Sequence, residues 1–394
     1  MAERGIEVLF LVVAGLLWGS LGAIFYSYLI YPLVVYLMVK IKGKRSPGEG
    51  TRREPTVSVI VSCYNEEGTL PGKLQNLREY QYPPLKVEYL FGSDGSSDKT
   101  NDILRAAAEK GQIRFFEFES RRGKAPMLND LVSKARNEIV VFTDANTLFE
   151  RDTILNLVGH FNDPAVGAVC GKLVLLSRGK ESGGWNEESY WSYESWLKQM
   201  ESDYCTLLGA TGGIYAIRRD LFVPLPLGRP VTDDFLTPMQ IVKKGYRVEY
   251  APEAKAFEFT SGSIKREFQR KVRIGAQNFS GIPEFSSLLS PRAGFVAFAL
   301  WSHKIVRWFV PHLALVTILS TAFLSFFVPL YMGLLVCQVL FLVLALMGGI
   351  ADWVRISVGP LSLPYYILAM NLALFVGFWR FAIGKQHTTW EVLR

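Results

Sequence analysis

The chain has 394 residues, 49% of them hydrophobic, and its 43 Lys and Arg against 36 Asp and Glu give a formal net charge of +7. This apolar content excludes an intrinsically disordered chain. Four scattered cysteines are too few for a disulfide framework, and the lack of a C-x-x-C pair argues against a structural zinc site. The modest positive surplus fits binding to nucleic acid, to a membrane surface or to anionic phosphates. The position of the basic residues along the chain has to distinguish these partners.

The hydrophobic residues concentrate in three runs that contain no charged residue, over 8–39, 308–351 and 356–379. Buried core helices seldom exceed ~14 unbroken apolar residues, so we interpret these runs as membrane spans. The middle run is too long for one crossing and contains Pro329, which predicts two helices over roughly 309–327 and 330–350. A cleaved signal peptide fits the first run less well, because only Arg4 precedes it and Glu3 offsets that charge.

Basic residues flank the region between the first two spans, at 40–53 and at 292–307. The positive-inside rule therefore predicts that roughly 41–307 faces the cytoplasm, beside anionic lipid headgroups, and nucleic acid becomes the weaker partner. One span before this region and three after it would put the C-terminus outside, although the tail is basic. Either the tail crosses despite its charge or one apolar segment does not fully span, and residues 293–302 could also enter the membrane partway.

The middle region alternates strand and helix patterns. Strands are predicted at 57–61, 87–91 and 139–143, each followed by a polar turn and then a helical pattern or an acidic tip. Such alternation implies βαβ units in a mostly parallel sheet with helices on both faces. Ligands of such sheets bind beyond the carboxyl ends of the strands, where the polar tips 62–66, 93–98 and 144–146 fall.

Two common phosphate-binding motifs are missing from this region. No GxGxxG follows the first strand and no GxxxxGK[ST] occurs, so a dinucleotide-binding fold and a P-loop ATPase lose their main support. An acidic strand tip usually holds phosphate through a divalent metal, because hard cations take oxygen ligands. Asp144 and Asn146 place two oxygen-bearing side chains on the same side of an extended segment. One can ligate a metal directly, and the other can take metal, water or ribose.

Six short motifs occur in the order SCYNEE, SDGSSD, RRGKAPMLN, FTDANT, TDD and QRKVRI. On alternating strands and helices this series resembles glycosyltransferase family 2 with the GT-A fold, most of all the membrane-integrated branch of cellulose, chitin, hyaluronan and poly-N-acetylglucosamine synthases. The resemblance covers roughly 55–280 through motifs and the flanking spans through layout. It implies an α/β architecture with four parts: an N-terminal transmembrane helix at 1–45, a Rossmann-like cytoplasmic GT-A domain at 46–285, an interface segment at 286–307, and C-terminal transmembrane helices with a basic tail at 308–394.

The resemblance also assigns residues to donor binding. They are Ser62, Tyr64, Glu66, Asp94, Lys124, Asp144, Gln269, Arg270 and Arg273. The first three match residues that hold uridine, and Asp94 matches the carboxylate that pairs with the uracil imide. Capping of the next helix is the alternative for Asp94 and the favoured role for Ser96 and Asp98. Lys124 resembles the family lysine near the diphosphate, and a solvated basic loop is its alternative.

The DxD motif of the family corresponds here to Asp144-Ala145-Asn146, which implies Mg²⁺ or Mn²⁺ held by Asp144 and Asn146. The Asn removes one negative charge, although its carbonyl can still coordinate, so a weaker metal dependence is expected. Thr232-Asp233-Asp234 matches the TED-type motif whose last carboxylate is the catalytic base. We assign Asp234 as that base, and its neighbour Asp233 should raise the proton affinity of the pair. An exposed acidic helix start is compatible with this role.

Two further segments are matched to the acceptor and the diphosphate. Thr211, Gly212 and Gly213 are expected on the acceptor side, where small residues admit a sugar ring, and an ordinary glycine turn is the alternative. The QRKVRI segment matches the QxxRW-type motif, with Arg270 and Arg273 at its first and fourth positions and Ile274 in place of Trp. Arg273 keeps the diphosphate role, whereas loss of the Trp puts processivity in doubt. A basic amphipathic helix on the membrane surface competes for the other cations.

The resemblance thus implies an inverting, membrane-bound glycosyltransferase that moves a sugar from a UDP-sugar to a growing polysaccharide and makes a β-linked product. Transfer of a single sugar to a lipid or lipid-linked acceptor stays open, as do the sugar, the linkage and the oligomeric state. The expected partners are the UDP-sugar, the acceptor and lipids of the plasma membrane, without nucleic acid. A transporter or scaffold with a nucleotide-binding domain is the competing class. Transporters usually carry ionisable or broken-helix positions inside their spans, and these spans contain almost none apart from His312 and Asn371.

Overall fold

The structure is a computed structural model that describes residues 2–43, 54–176, 184–259, 263–354, 356 and 359–385. Before the sheet come α1 (Ala2–Phe25), a π-helical turn (Tyr26–Ile30) and α2 (Tyr31–Lys42). The strands are β1 (Val57–Cys63), β2 (Val87–Asp94), β3 (Arg114–Phe118), β4 (Ile139–Asp144), β5 (Leu148–Phe149), β6 (Val166–Leu176), β7 (Tyr215–Arg218) and β8 (Arg247–Phe259). The helices among and after them are α3 (Leu70–Leu77), α4 (Thr100–Glu109), α5 (Lys124–Lys134), α6 (Thr153–Gly159), α7 (Gly184–Tyr204), α8 (Asp233–Lys243) and α9 (Ile264–Phe285). The last are α10 (Phe295–Ala299), a second π-helical turn (Leu300–Ile305), α11 (Val306–Leu324), α12 (Pro329–Trp353) and α13 (Leu363–Ala382).

The strands form one sheet in the order β3-β2-β1-β4-β7-β6-β8-β5. The first four are parallel, as the alternating pattern predicts. The second half is mixed, because β7 runs antiparallel to both β4 and β6, β8 runs parallel to β6, and β5 runs antiparallel to β8. The prediction of an α/β domain is therefore confirmed, with more antiparallel pairing than the sequence pattern indicates.

Both faces of the sheet are covered, which explains why β1 carries apolar residues on both of its sides. Every residue of β1 is buried, and alternate side chains enter different cores. Val57, Val59 and Val61 pack in the core that includes residues of α3, α4 and α6. Ile60 points to the opposite face, where the core includes residues of α2, α5, α7, α8 and α9.

The parallel register brings the three predicted polar tips together. Ser62 pairs with Gly92 on β2 and with Asp144 on β4, and Cys63 pairs with Ser93. The carboxyl ends of β1, β2 and β4 therefore finish at one edge of the sheet, which we call the catalytic edge.

Among the described residues, four helical segments are long and apolar enough to cross a membrane. They are Arg4–Lys42, Phe295–Leu324, Pro329–Trp353 and Leu363–Ala382. The second begins before the predicted 309–327, because α10 and the second π-helical turn continue into α11. The domain boundary at 307 stays a prediction. Large apolar side chains such as Leu330 and Leu346 of α12 are more than 60% exposed, as expected of a lipid-facing surface.

A buried group of charged side chains joins α7 to the membrane helices, and we call it the charged junction: Glu194, Glu201, His303 and Arg307. His303 contacts Glu201 at 2.6 Å and Glu194 at 3.1 Å, and Arg307 also binds Glu194. The hydroxyl of Tyr31 donates to Glu201 at 2.6 Å. Burial alone raises the pKa of Glu194, but His303 and Arg307 outweigh it and hold that pKa well below its usual range.

Helix α9 lies directly against α13. A Cβ atom placed on Gly377 would come within 2.7 Å of the backbone oxygen of Val272 and 3.2 Å of the Cα of Gly275. Only glycine permits this approach, since any side chain would force the two backbones apart. The helix that carries Arg270 and Arg273 is therefore seated on the last candidate span.

Candidate active site

Two loops that follow β1 and β2 are tied together at the catalytic edge. The backbone N–H of Glu66 donates to the hydroxyl of Thr100 at 2.7 Å, and that of Asn65 donates to Ser96 at 3.1 Å. Asp98 accepts from the backbone N–H of Thr100 at 3.0 Å, but it lies one residue before the N-cap Lys99, and Ser96 binds Asn65, so neither residue is the N-cap of α4. These bonds place the predicted uridine-binding residues Ser62, Tyr64 and Glu66 on one side of the edge. Glu66 itself accepts from Thr69 at 2.6 Å.

Asp94 is fully buried, and neither of its carboxylate oxygens caps α4. Oδ1 accepts from the backbone N–H of Arg122 at 2.9 Å, and Oδ2 accepts from that of Gly123 at 2.8 Å. Asp94 therefore fixes the loop that precedes Lys124, while its role in base recognition stays a prediction. In that loop the guanidinium of Arg121 stacks over the ring of Tyr64, 3.9 Å from its centre.

Lys124 connects two of the predicted functional carboxylates. Its ammonium lies 3.2 Å from Oδ1 of Asp144 and 3.1 Å from Oδ1 of Asp233. Burial lowers the pKa of Lys124, but Asp144, Asp233 and Asp234 outweigh burial and raise it above its usual value. Lys124 is therefore a permanent cation at the edge rather than part of a solvated loop.

The two carboxylates at the start of α8 have different surroundings. Asp233 is buried and accepts from the hydroxyl of Tyr215 at 3.1 Å as well as from Lys124. Asp234 is less buried, and a Cβ atom on Gly212 would lie 3.2 Å from its Oδ2. Burial and the neighbouring Asp233 raise the pKa of Asp234 to about 6. Asp234 is thus the more accessible of the two carboxylates and has a raised pKa, which fits the base role predicted for it.

The turn after β4 holds the predicted metal ligands. The Asp144 side chain is about one third exposed and Asn146 is exposed. Carboxylate and amide oxygens suit Mg²⁺ or Mn²⁺, so this donor set fits a hard divalent cation. No group of three or more His, Cys, Asp or Glu that could hold a metal occurs within the described part of the chain, which leaves most coordination positions for diphosphate oxygens or water. The amide of Asn146 donates to Glu258 of β8 at 3.0 Å, a carboxylate that the motifs did not indicate.

A buried lysine lies beneath this turn. Lys73 of α3 is 0% exposed, and its ammonium donates to Oγ1 of Thr143 at 3.0 Å and to the carbonyl oxygen of Thr147 at 2.5 Å. Burial lowers the pKa of Lys73 to about 7, and the nearby Asp144 carboxylate opposes that lowering. The sequence pattern missed this residue, because the spacing of α3 marks it only as one polar position in an amphipathic helix.

The predicted acceptor-side residues form a tight turn beside Asp234. The N–H of Ala210 donates to the carbonyl of Asp234 at 2.7 Å, and Thr211 forms an isolated bridge with Ile214. A Cβ atom on Gly213 would lie 2.9 Å from Oγ1 of Thr147, so the glycine lets this turn approach the metal turn. The sequence missed Lys198 of α7, whose ammonium donates to Oγ1 of Thr211 at 2.8 Å.

Helix α9 brings one of its predicted arginines to the edge. The Nε of Arg273 is buried and has no hydrogen-bond partner among the described residues. Burial and the neighbouring Arg270 lower its pKa, and the carboxylates Asp144, Asp233 and Asp234 oppose that effect. Arg270 instead donates twice to Glu267 of its own helix, at 2.8 and 3.0 Å, and Gln269 is exposed. Of the three, Arg273 has the best position for a diphosphate.

The comparisons with known proteins agree with this fold. Residues 58–224 match the family model described as Glycosyl transferase family 2. Over these residues the match supports the predicted resemblance to glycosyltransferase family 2. The mannosyltransferase PcManGT from Pyrobaculum calidifontis, solved in complex with GDP-Man and Mn²⁺, is 24% identical. It matches 96% of this chain and 100% of its own with a TM-score of 0.71, so the two chains share the GT-A fold.

Curated relatives give a second comparison. The poly-beta-1,6-N-acetyl-D-glucosamine synthase of Staphylococcus aureus strain MSSA476 is 26% identical over 225 residues, which are 55% of this chain and 53% of the relative. The enzyme of the same name from Staphylococcus epidermidis is 23% identical over 261 residues, 65% of this chain and 61% of the relative. The chain thus spans about half the length of the first of these relatives and somewhat more of the second.

Proposed function

We propose that this chain is an inverting glycosyltransferase that moves a sugar from a UDP-sugar to a hydroxyl of a growing polysaccharide at the membrane. The observation that carries the proposal is the setting of Asp234. It is a partly accessible carboxylate with a pKa of about 6, beside an acceptor turn of small residues and on the same edge as the Asp144 turn. Such a carboxylate can take a proton from an attacking hydroxyl near neutral pH.

The chain's own residues account for each part of the reaction. Asp234 removes the proton from the acceptor hydroxyl while the hydroxyl oxygen bonds to the anomeric carbon. The bond from that carbon to the phosphate oxygen breaks, and UDP leaves with the electron pair. Lys124 and Arg273 supply positive charge where the diphosphate develops negative charge. A divalent metal held by Asp144 and Asn146 would supply further Lewis-acid stabilisation. One displacement inverts the anomeric centre, so an α-linked donor gives a β-linked product.

The relatives support a polysaccharide product, because the two that are named make poly-N-acetylglucosamine. We therefore propose an N-acetylhexosamine donor first. Transfer of a single sugar to a lipid-linked acceptor is the second candidate. Ile274 favours it, because the Trp that lines the polymer channel in the synthases is replaced. The proposal puts the catalytic edge on the cytoplasmic side of the plasma membrane, and the basic residues at 40–53 and 292–307 support this orientation.

Turnover by the purified full chain in detergent tests the proposal. UDP-N-acetylglucosamine, UDP-glucose and GDP-mannose are supplied separately with Mn²⁺ or Mg²⁺, and release of nucleoside diphosphate is measured. We expect release from a UDP-sugar, and mass spectrometry of the product separates polymer from single transfer. Release from GDP-mannose alone would contradict the UDP assignment. Binding of donors without any release would instead support a transporter or scaffold and overturn the proposed function.

A further inference from the structure

We propose that Lys73 is a positioning residue that fixes the metal-binding turn from beneath, and that its loss weakens metal binding without unfolding the domain. The inference rests on the proposed function only in that the turn at Asp144 and Asn146 holds a divalent cation. Nothing in the sequence motifs or in the comparisons assigns Lys73 a role.

The two hydrogen bonds that the Lys73 ammonium donates both lead to this turn. Its ammonium bonds to Thr143, the residue before Asp144, and to Thr147, the residue after Asn146. One side chain therefore joins the start and the end of the five-residue segment. The ammonium also lies 4.9 Å from the centre of the Phe149 ring, just beyond the turn. The ammonium reaches no carboxylate within ion-pair distance among the described residues, so its directional bonds go to the turn.

A second buried side chain of α3 anchors the chain outside this turn. Asn76, one turn after Lys73, accepts from the backbone N–H of Phe149 at 2.8 Å and donates to its carbonyl at 2.9 Å. Asn76 thus holds β5, beyond the turn, whereas Lys73 holds the turn itself. Both side chains are buried on the same helix, so they make a matched pair for separating local positioning from general stability.

Burying an ammonium in the protein interior is costly, because desolvation disfavours the charged form. Because of this cost, a buried lysine at this position contributes little to the stability of the fold by itself. Groups that orient metal ligands from outside the coordination shell typically change metal affinity by 10- to 100-fold when removed. Lys73 occupies that place for Asp144 and Asn146, because it binds the side-chain hydroxyl of Thr143 and the backbone carbonyl of Thr147, which lie on either side of the two ligands.

The test measures Mn²⁺ binding by electron paramagnetic resonance on the full chain in detergent with saturating UDP and no acceptor. In Lys73→Met we expect the dissociation constant for Mn²⁺ to rise about 10-fold. In Asn76→Ala we expect a loss of thermal stability comparable to that in Lys73→Met, but a Mn²⁺ affinity within about 2-fold of wild type. Thr143→Val removes only one partner of Lys73 and should raise the dissociation constant about 2- to 3-fold, which keeps the test valid if Lys73→Met fails to fold.

Three results would overturn the inference. The first is unchanged Mn²⁺ affinity in folded Lys73→Met, or in Thr143→Val if only that variant folds. The second is an equal loss of affinity in Lys73→Met and Asn76→Ala in proportion to their melting temperatures, since that would be general loosening. The third is a wild-type chain that binds no Mn²⁺. Only in the third case, combined with no sugar transfer, does the proposed function fail as well.

Discussion

The catalytic edge and the charged junction both bury ionisable side chains, but they pair them differently. At the junction, Glu194 contacts both His303 and Arg307, and Glu201 contacts His303, although one oxygen of Glu201 has no hydrogen-bond partner among the described residues. At the edge, Asp234 is partly open and the Nε of Arg273 has no hydrogen-bond partner in the described chain. Paired buried charges specify a structure, since removing one partner leaves the other uncompensated. Charges left open can change partners when a ligand binds, which is what catalysis requires.

The comparison therefore predicts opposite effects of substitution in the two regions. Changes at the edge should reduce transfer and leave stability nearly unchanged. Changes at the junction should reduce stability and leave transfer per folded molecule nearly unchanged.

The largest effect is expected at Asp234. Asp234→Asn should lower the transfer rate at least about 1,000-fold, because the amide keeps the shape but cannot accept a proton. UDP affinity should stay within a few-fold by calorimetry, and the melting temperature should not fall, because a repulsion with Asp233 is removed. Asp102→Asn, an exposed acid on α4, is the matched control. Transfer at the wild-type rate in Asp234→Asn would remove this residue from the mechanism.

The second-largest effect on transfer is expected at the turn that holds Asp144 and Asn146. Asp144→Ala should lower transfer about 100-fold or more, and Asn146→Ala about 10-fold or less, because only Asp144 carries a charge. Asn146→Asp should shift half-maximal activation to lower Mn²⁺ concentration, since a second carboxylate strengthens a site for a hard cation. A Mn²⁺ titration of transfer on the three variants measures this order. Equal losses in the two alanine variants would sink the assignment of Asp144 as principal ligand.

At the junction, Arg307→Met should lower the free energy of unfolding by roughly 3 kcal/mol, because the buried Glu194 loses its guanidinium partner. The melting temperature in detergent measures the loss, and transfer assayed well below that temperature should stay within about 2-fold of wild type. The exposed pair of Arg105 and Glu117 supplies the control, since Arg105→Met should leave the melting temperature unchanged. A stable but inactive Arg307→Met would show that the junction takes part in catalysis.

The smallest effect concerns a third ionised cluster, which lies just after α6 and on β8. His160 lies 2.8 Å from both Glu249 and Glu253, and although burial lowers its pKa, these carboxylates raise it to about 9 from 6.5. The protonated ring therefore stabilises the fold fully below pH 6.5, and this contribution is lost as pH rises through 9. We expect a contribution of about 1–2 kcal/mol after screening at the exposed Glu253. Melting temperatures of His160→Gln and wild type between pH 6 and 9.5 should converge at high pH, and a constant difference would contradict the prediction.

Sequence reasoning located the catalytic edge because its residues follow strand ends within short motifs. Asp144, Asp94 and Ser62 each end or follow a strand, so a parallel sheet must bring them to one edge. The family pattern predicts Asp234 as the base. Only the structure shows that its surroundings differ from those of Asp233, which accepts a hydrogen bond from Tyr215, 18 residues before Asp233 on β7. Lys73 was missed because its partners are 70 and 74 residues away and nothing in the spacing of α3 indicates them.

The charged junction was unpredictable for the same reason at greater range. His303 and Glu194 are 109 residues apart, and Arg307 and Ser27 are 280 apart. Their meeting depends on how α7 docks between two separate candidate spans, and a single sequence contains no pattern for that docking. The sequence predicts that the basic residues at 292–307 lie beside lipid headgroups, whereas Arg307 is buried against a carboxylate.

The glycine contact between α9 and α13 links the reaction to the surrounding bilayer. Helix α13 has 20 residues, about 30 Å of helix, which matches the hydrocarbon core with little excess. A thicker or thinner bilayer changes the tilt or depth of such a helix. Because Gly377 and Gly275 bring the two backbones into contact, α9 must follow that movement, and Arg273 moves with it toward or away from the diphosphate position. We therefore expect bilayer thickness to influence the proposed transfer through the position of Arg273.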